Sequence, residues 1–150
     1  MLREVLPGSP TLYEDLEWVR IIRNHVSEYM TNNPHAITRE GQLEWFSEID
    51  HDKLRLFILE EKYPSIPVGY GIINKSYTPF PLLTGGILPS RQGRGLGKKL
   101  FQELIDLCED DLTPELDVRE TNIKARTLYT SLGFQETVNN NGIISMVLRR

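Results

Sequence analysis

The sequence predicts an α/β (α+β) domain in which a mixed, mostly antiparallel central sheet is flanked by helices. Three observations predict it. Arg55 to Leu59 and Val68 to Ile73 are rich in aliphatic, β-branched and aromatic residues, and the break Tyr63-Pro64-Ser65-Ile66-Pro67 between them makes them an antiparallel pair. Pro81 to Leu88 reads as a strand that leads through a glycine-rich segment into an apolar-striped helix, a single β–loop–α crossover. Phe134 to Val138 and Ile143 to Leu148 bracket Asn139-Asn140-Asn141-Gly142 as a terminal β-hairpin.

The remaining elements follow in order. Leu2 to Leu6 is a short strand. Leu12, Leu16, Val19 and Val26 recur at helical spacing, so Thr11 through His25 is an amphipathic helix, and Pro34 ends whatever follows it. A second helix starts near Thr38, a candidate N-cap, and carries Leu43, Trp45 and Phe46. The helix after the glycine segment sets Leu96, Leu100, Leu104, Leu107 and Cys108 along one side. Glu115 to Val118 is a short strand with alternate apolar positions. A helix from about Asn122 buries Ala125, Leu128 and Leu132 and stops at Gly133, well placed as a left-handed C′ residue.

At 150 residues the chain fits one domain, 1–150, able to bury a core without metal or disulfide staples. Its single cysteine, Cys108, falls on an apolar helix face and cannot form an internal disulfide; together with the absence of a signal sequence this makes the cytoplasm the expected compartment. No apolar run approaches membrane-spanning length. The net charge of −4 argues against a nucleic-acid-coating surface and tolerates a cationic or neutral amine. His25, His35 and His51 are too scattered for metal-ligand spacing, no Gly-x-Ser-x-Gly elbow is present, and Glu109-Asp110-Asp111 is a solvated helix end, so no metal is expected.

The chemistry concentrates in Gln92-Gly93-Arg94-Gly95-Leu96-Gly97-Lys98. Alternate glycines at a helix start leave N–H groups open, let a ligand approach the backbone and place it at the positive end of the helix dipole, while Arg94 and Lys98 add charge. Such a loop binds phosphate. A P-loop would need glycine where Gln92 stands and a hydroxyl where Lys99 stands; a dinucleotide fingerprint would need Gly-x-Gly-x-x-Gly in an opening βαβ unit. Neither spacing is met. A second motif follows, Asn122-Ile123-Lys124-Ala125-Arg126-Thr127-Leu128-Tyr129 with Gly133-Phe134.

The two motifs together resemble the GNAT superfamily of acyl-CoA-dependent N-acetyltransferases. Gln92, Gly95 and Gly97 match its cofactor loop, and Asn122, Ala125, Leu128, Tyr129, Gly133 and Phe134 match its later pattern. The firm resemblance runs from Pro81 to Val138; the first half matches loosely. It implies acetyl-CoA as acyl donor, a primary amine as acceptor, and a central sheet with a splayed strand pair. Carried over by position, the backbone at Gly85, Gly86 and Ile87 pairs with the pantetheine arm as though the cofactor were an added strand, while Gln92, Gly93, Arg94, Gly95, Leu96, Gly97, Lys98 and Asn122 hold the rest. Gly85-Gly86 also reads as a strand bulge, which is compatible with that pairing.

Tyr129 aligns with the tyrosine that in many members protonates the departing thiolate; its position beside the Ala125/Leu128/Leu132 stripe equally suits a buried core tyrosine. Leu116-Asp117-Val118-Arg119 stands where the ribosomal-protein alanine acetyltransferases carry Leu-Glu-Val-Arg, which makes Asp117, one methylene shorter, a candidate base acting through a water. Asp117 also suits a strand-end carboxylate paired with Arg119 or Lys124, and many members use a water chain with no dedicated base.

Acceptor choice in the superfamily rests on the first two helices. Arg23-Asn24, Tyr29-Met30 and Ile37-Thr38 to Trp45-Phe46 resemble nucleotide-amino-sugar N-acetyltransferases, although Trp45 and Phe46 also suit ordinary helix packing. A ribosomal-protein or other peptide N-terminus is the next acceptor reading, and a small polyamine or drug-like amine stays open. The non-enzymatic alternative is a coenzyme-A-binding sensor or interaction domain, and the sequence leaves open whether the chain is a monomer or a homodimer.

Overall fold

A computed structural model of the chain describes residues 1–26, 36–62, 65–108 and 112–149. The expectations placed on Tyr29-Met30, Pro34, His35, Tyr63-Pro64 and Glu109-Asp110-Asp111 lie outside the described residues. The order of elements is β1 (Leu2–Glu4), α1 (Leu12–Val26), α2 (Arg39–Glu48), β2 (Leu54–Glu61), β3 (Ile66–Asn74), β4 (Leu82–Ile87), a 3₁₀ turn at Pro89–Arg91, α3 (Leu96–Asp106), β5 (Glu115–Arg119), α4 (Ile123–Ser131), β6 (Phe134–Asn140) and β7 (Ile143–Leu148). The strands form one sheet in the order β1-β2-β3-β4-β5-β7-β6, antiparallel throughout except for β4 beside β5. This is the mixed, mostly antiparallel architecture expected.

Two apolar layers cover the sheet. On one face Leu16, Val19 and Ile22 of α1 and Phe46 of α2 pack on Leu56, Ile58, Tyr70 and Ile72. On the other, Leu100, Phe101, Leu104 and Ile105 of α3 pack on Phe57, Leu83, Leu116, Val118 and Met146. Alternation along β2, with Leu56 and Ile58 to one side and Phe57 and Leu59 to the other, is what the two-residue strand period requires of a sheet covered on both faces. No helix among the described residues is long and apolar enough to cross a membrane.

Local chemistry sets the boundaries. Thr38 caps α2 by accepting from the Gly41 N–H at 3.0 Å, as its type and position foretell. Four details differ from expectation. Ile66 and Pro67 belong to β3 rather than to the preceding turn; Pro67 pairs with Glu60 and the register shifts between Leu59 and Glu60, because a proline has no N–H to continue the ladder. Leu107 is the C-cap of α3 and 42% exposed, while Phe101 and Ile105 take core positions. Ala125, Leu128 and Leu132 are half-buried against the core instead of fully enclosed. The hairpin turn is tighter, with Asn139 and Asn140 in β6 and only Asn141 and Gly142 between the strands, both at positive φ, the two-residue Asn-Gly turn whose twist suits a hairpin.

The feature that positions the site is the β4–β5 pair. It is joined at Leu82↔Glu115 alone, supported by Glu115 N–H donating to the Pro81 carbonyl at 2.8 Å. Beyond that point the parallel strands diverge, leaving the edge of β4 from Leu83 to Ile87 without a strand partner on that side. The ladder between β3 and β4 meanwhile runs without interruption from Asn74↔Leu82 to Gly69↔Ile87, so Gly85-Gly86 is not a bulge. Gly85 is small for another reason: a Cβ there would stand 2.9 Å from Leu100 Cδ2 and 2.9 Å from the Tyr70 carbonyl oxygen.

Candidate functional site

A cleft of about 640 Å³ opens where β4 leaves β5, between the start of α3 and the start of α4. Of the residues singled out in the sequence, Gly85, Ile87 and Tyr129 line it, as do Gln92, Gly93, Gly95, Leu96, Gly97, Lys98 and Asn122. Gly86, Arg94 and Asp117 are not among its lining residues.

The glycine loop presents open backbone at the start of a helix. Gly95 is the N-cap of α3 at φ +77°, ψ 8°, and Gly93 sits at φ +82°, conformations an ordinary side chain adopts only under strain. A Cβ at either position would meet nothing within 4 Å, so the loop backbone faces open space. The helical ladder begins with Lys99 N–H donating to the Gly95 carbonyl, which leaves the N–H groups of Leu96, Gly97 and Lys98 at the positive end of the helix without an intrahelical acceptor. Gln92 donates through Nε2 to the Ile87 carbonyl at 3.1 Å and so ties the loop to the end of β4. The Arg94 guanidinium lies 3.9 Å from Glu61, whose carboxylate is also 3.6 Å from Arg91.

The opposite wall is α4. Asn122 is its N-cap, accepting from the Ala125 N–H at 3.2 Å, which orients the helix so that Tyr129, two turns on, reaches the cleft. The Tyr129 ring stands edge-on to Phe101, centroids 4.9 Å apart, and 6.1 Å from Phe134. Burial, with a contribution from the nearby Tyr70 phenol, pushes the Tyr129 hydroxyl above the ordinary phenol range. The ring packs as a core tyrosine does, and the hydroxyl stays protonated on a residue that lines the cleft.

Asp117 lies on β5, opposite Ser145 of β7, and accepts from the Ser145 hydroxyl at 3.1 Å. Its neighbours Leu116 and Val118 point into the α3-side core, so Asp117 projects to the face covered by α1 and α2. On that face Arg23 donates to Gln42 Oε1 at 3.0 Å and stacks over the Trp45 ring at 5.2 Å. Asn24 is structural: it donates to the Ile37 carbonyl and accepts the Ile37 N–H, fastening α1 to the start of α2. Phe46 is core, 4% exposed.

Several further residues stand in or near the cleft without a role legible in the sequence. Phe101 and Lys124 line the cleft, Lys124 within a motif already noted but without an assigned part in binding. Tyr70, fully buried between two glycines of β3, was visible as a strand residue only. The remaining candidates are structural. His25 Nδ1 is 2.8 Å from the Ile21 carbonyl at the end of α1, His51 packs on Phe46, and the buried Cys108 thiol donates to the Leu104 carbonyl. Among the described residues no group of three His, Cys, Asp or Glu is placed to hold a metal ion.

Comparison with known proteins bears on this geometry directly. The family model described as "Acetyltransferase (GNAT) family" matches residues 18–134. The N-alpha-acetyltransferase RimI of Mycobacterium tuberculosis is 42% identical over 72 residues, which cover 45% of this chain and 45% of that protein, so the match spans less than half the length of the curated relative. Among solved structures, a ribosomal-protein-alanine N-acetyltransferase from Brucella melitensis superposes with a TM-score of 0.77 at 19% identity, covering 98% of each chain. A spermidine N-acetyltransferase from Vibrio cholerae, in complex with CoA and spermine, gives 0.75 at 21% identity, covering 98% of this chain and 92% of the other. At these identities the structures share the fold.

Proposed function

The chain belongs to the GNAT acetyltransferase family, and from that premise we propose that it transfers the acetyl group of acetyl-CoA to a primary amine by direct attack. The observation that carries the reading is the cleft itself, where an open edge of β4, an uncapped helix start and a protonated tyrosine converge. Pyrophosphate fits the Gly93 to Lys98 backbone, which offers N–H donors with no side chain in the way; Lys98 and Lys124 add positive charge at the rim. The pantetheine arm pairs with the unpartnered edge of β4 about Gly85, Gly86 and Ile87. Asn122 orients α4 against it. Arg94, drawn toward Glu61, contributes charge from outside the cleft.

Bound there, acetyl-CoA supplies an activated acetyl group and, as the C–N bond forms and the C–S bond breaks, a thiolate in need of a proton. Tyr129 holds that proton. Because burial keeps its hydroxyl protonated beyond the ordinary phenol range, it serves as general acid at any physiological pH. Asp117, fixed by Ser145 on the acceptor face, or a water it holds, takes the proton released by the attacking amine. Positioning of amine and thioester across the β4–β5 gap supplies much of the rate.

For the acceptor, a peptide N-terminus is supported by the relationship to RimI, an N-alpha-acetyltransferase by name. An amino sugar is supported by the Arg23–Trp45 stack, which joins two parts of the resemblance read in the sequence. The test is turnover of acetyl-CoA, followed as free thiol, against peptide N-termini, amino sugars, polyamines and amino acids. Acceptor-dependent thiol release confirms acetyl transfer; tight coenzyme binding with no release for any acceptor returns the chain to a coenzyme-A sensor.

A further inference from the structure

On the face of the sheet covered by α1 and α2, one buried cation has no carboxylate partner among the described residues. Arg3, Arg20 and Arg55 each pair with a carboxylate at 3.0 Å or less. Arg23 has no carboxylate partner among the described residues, although burial is strong enough to lower its pKa. A buried guanidinium without an anion is costly, and the Trp45 face and the Gln42 amide oxygen offset only part of that cost. Arg23 Nε is buried without a hydrogen-bond partner, and so is the hydroxyl of the fully enclosed Tyr70. The two side chains interact: the Arg23 cation and its donor contact both oppose the burial-driven rise in the Tyr70 pKa, although neither Arg23 Nε nor the Tyr70 hydroxyl is in full hydrogen-bond geometry with any described group. The two unsatisfied groups are therefore neighbours. The Nε edge of a guanidinium is one of the two edges that take a carboxylate or phosphate through paired N–H bonds.

Position ties this region to the cleft. Tyr70 pairs with Gly86 across the β3–β4 ladder, at the stretch of β4 whose other edge is open, and its phenol is an electrostatic neighbour of Tyr129. Arg23 is partly exposed as a residue, while its Nε and the Tyr70 hydroxyl are enclosed.

We propose that Arg23 and Tyr70 form an oxyanion subsite, and that the acceptor amine therefore carries a carboxylate or a phosphate. The proposal rests on the acetyl-transfer reading for its account of what binds, and it deepens that reading by naming the substrate class. An anion held by Arg23 places the remainder of the acceptor beside Gly86 and the open strand edge. The same cation disfavours a polyamine, which would bring like charge into a site with little water.

Matched acceptors test this. Glucosamine 6-phosphate is compared with glucosamine, and a tripeptide beginning with glutamate with its glutamine counterpart; the two pairs separate a phosphate source from a carboxylate source. At least one anionic member should show kcat/KM roughly tenfold or more above its neutral partner, the size expected of a charge-assisted bidentate contact. Arg23→Gln should narrow that ratio to within about twofold, and Tyr70→Phe, which keeps the buried ring, should narrow it in part. A turnover-independent readout uses Trp45 as the sole tryptophan in a Trp18→Phe background, where titration with the same anionic compound should change its emission and Arg23→Gln should remove the change. Turnover that ignores acceptor charge in both pairs, or a preference that Arg23→Gln leaves intact, overturns the subsite and leaves acetyl transfer standing. A Trp45 response to the anion without acetylation of any acceptor overturns acetyl transfer and leaves the subsite standing.

Discussion

Tyr129 and Phe101 meet edge to face at 4.9 Å across the junction of α4 and α3, so the tyrosine ring is fixed by packing that does not involve its hydroxyl. Tyr129→Phe keeps the ring contact and removes only the proton donor. Fold stability and acetyl-CoA affinity in calorimetry should change little, while kcat falls by roughly 10²-fold, the low end for a positioned acid because a thiolate is already a fair leaving group. The sign of the pKa shift adds a second expectation. A phenol raised above its ordinary range stays protonated as pH rises, so the wild-type rate should show no loss near pH 10 assignable to this group. Wild-type turnover in a folded, coenzyme-binding Tyr129→Phe variant would reduce Tyr129 to a packing residue.

Gly95 allows charge and strain to be separated. Asparagine and aspartate both tolerate the left-handed conformation at φ +77° better than other residues, and the structure offers open space for either side chain. Gly95→Asn should therefore keep much of the acetyl-CoA affinity. Gly95→Asp, nearly identical in shape, sets a negative charge beside the pyrophosphate and should abolish measurable binding. Equal affinity for the two variants would place the pyrophosphate elsewhere.

Gly85 is limited by contact instead. Alanine there would press its methyl group to 2.9 Å from Leu100 and from the Tyr70 carbonyl, and the backbone oxygen cannot yield as a side-chain tip can. Gly85→Ala should destabilise the protein by about 1–3 kcal/mol in urea unfolding, as overpacking does, and lower acetyl-CoA affinity by lifting α3 from β4. A variant as stable as the parent would mean that α3 and β3 adjust freely.

These contrasts show what periodicity and motif can carry. The strand order along the chain, the two helical caps at Thr38 and Asn122, and the left-handed Gly133 at φ +103° were legible because each depends on residues close in sequence. The tight Asn141-Gly142 turn and the entry of Pro67 into β3 were displaced by one or two residues, since hairpin register is decided by pairing across strands. The unpaired edge of β4 was legible only through family resemblance, because it arises from a strand more than 25 residues later pairing at one residue, Glu115. Nothing in the sequence marks Tyr70 and Arg23 as neighbours. They sit on different elements, and the unsatisfied Arg23 Nε and Tyr70 hydroxyl come together only once α1 lies on β3.

Asp117 and Ser145 define the remaining test. The serine hydroxyl donates to Asp117 Oδ1 at 3.1 Å from the paired position on β7, so Asp117→Asn preserves an acceptor for it and changes the charge with little change in shape. If the carboxylate relays the proton of the attacking amine, Asp117→Asn should lower kcat by roughly 10²-fold or more and reshape the acidic limb of the kcat/KM profile, with acetyl-CoA affinity unchanged. Ser145→Ala leaves the charge but frees the carboxylate from its fixed orientation. It should cost less, on the order of tenfold, and retain the acidic limb. If Asp117→Asn keeps the parental profile while Ser145→Ala slows turnover, the proton leaves by a water path that does not involve the carboxylate, and the serine is the group that orders it.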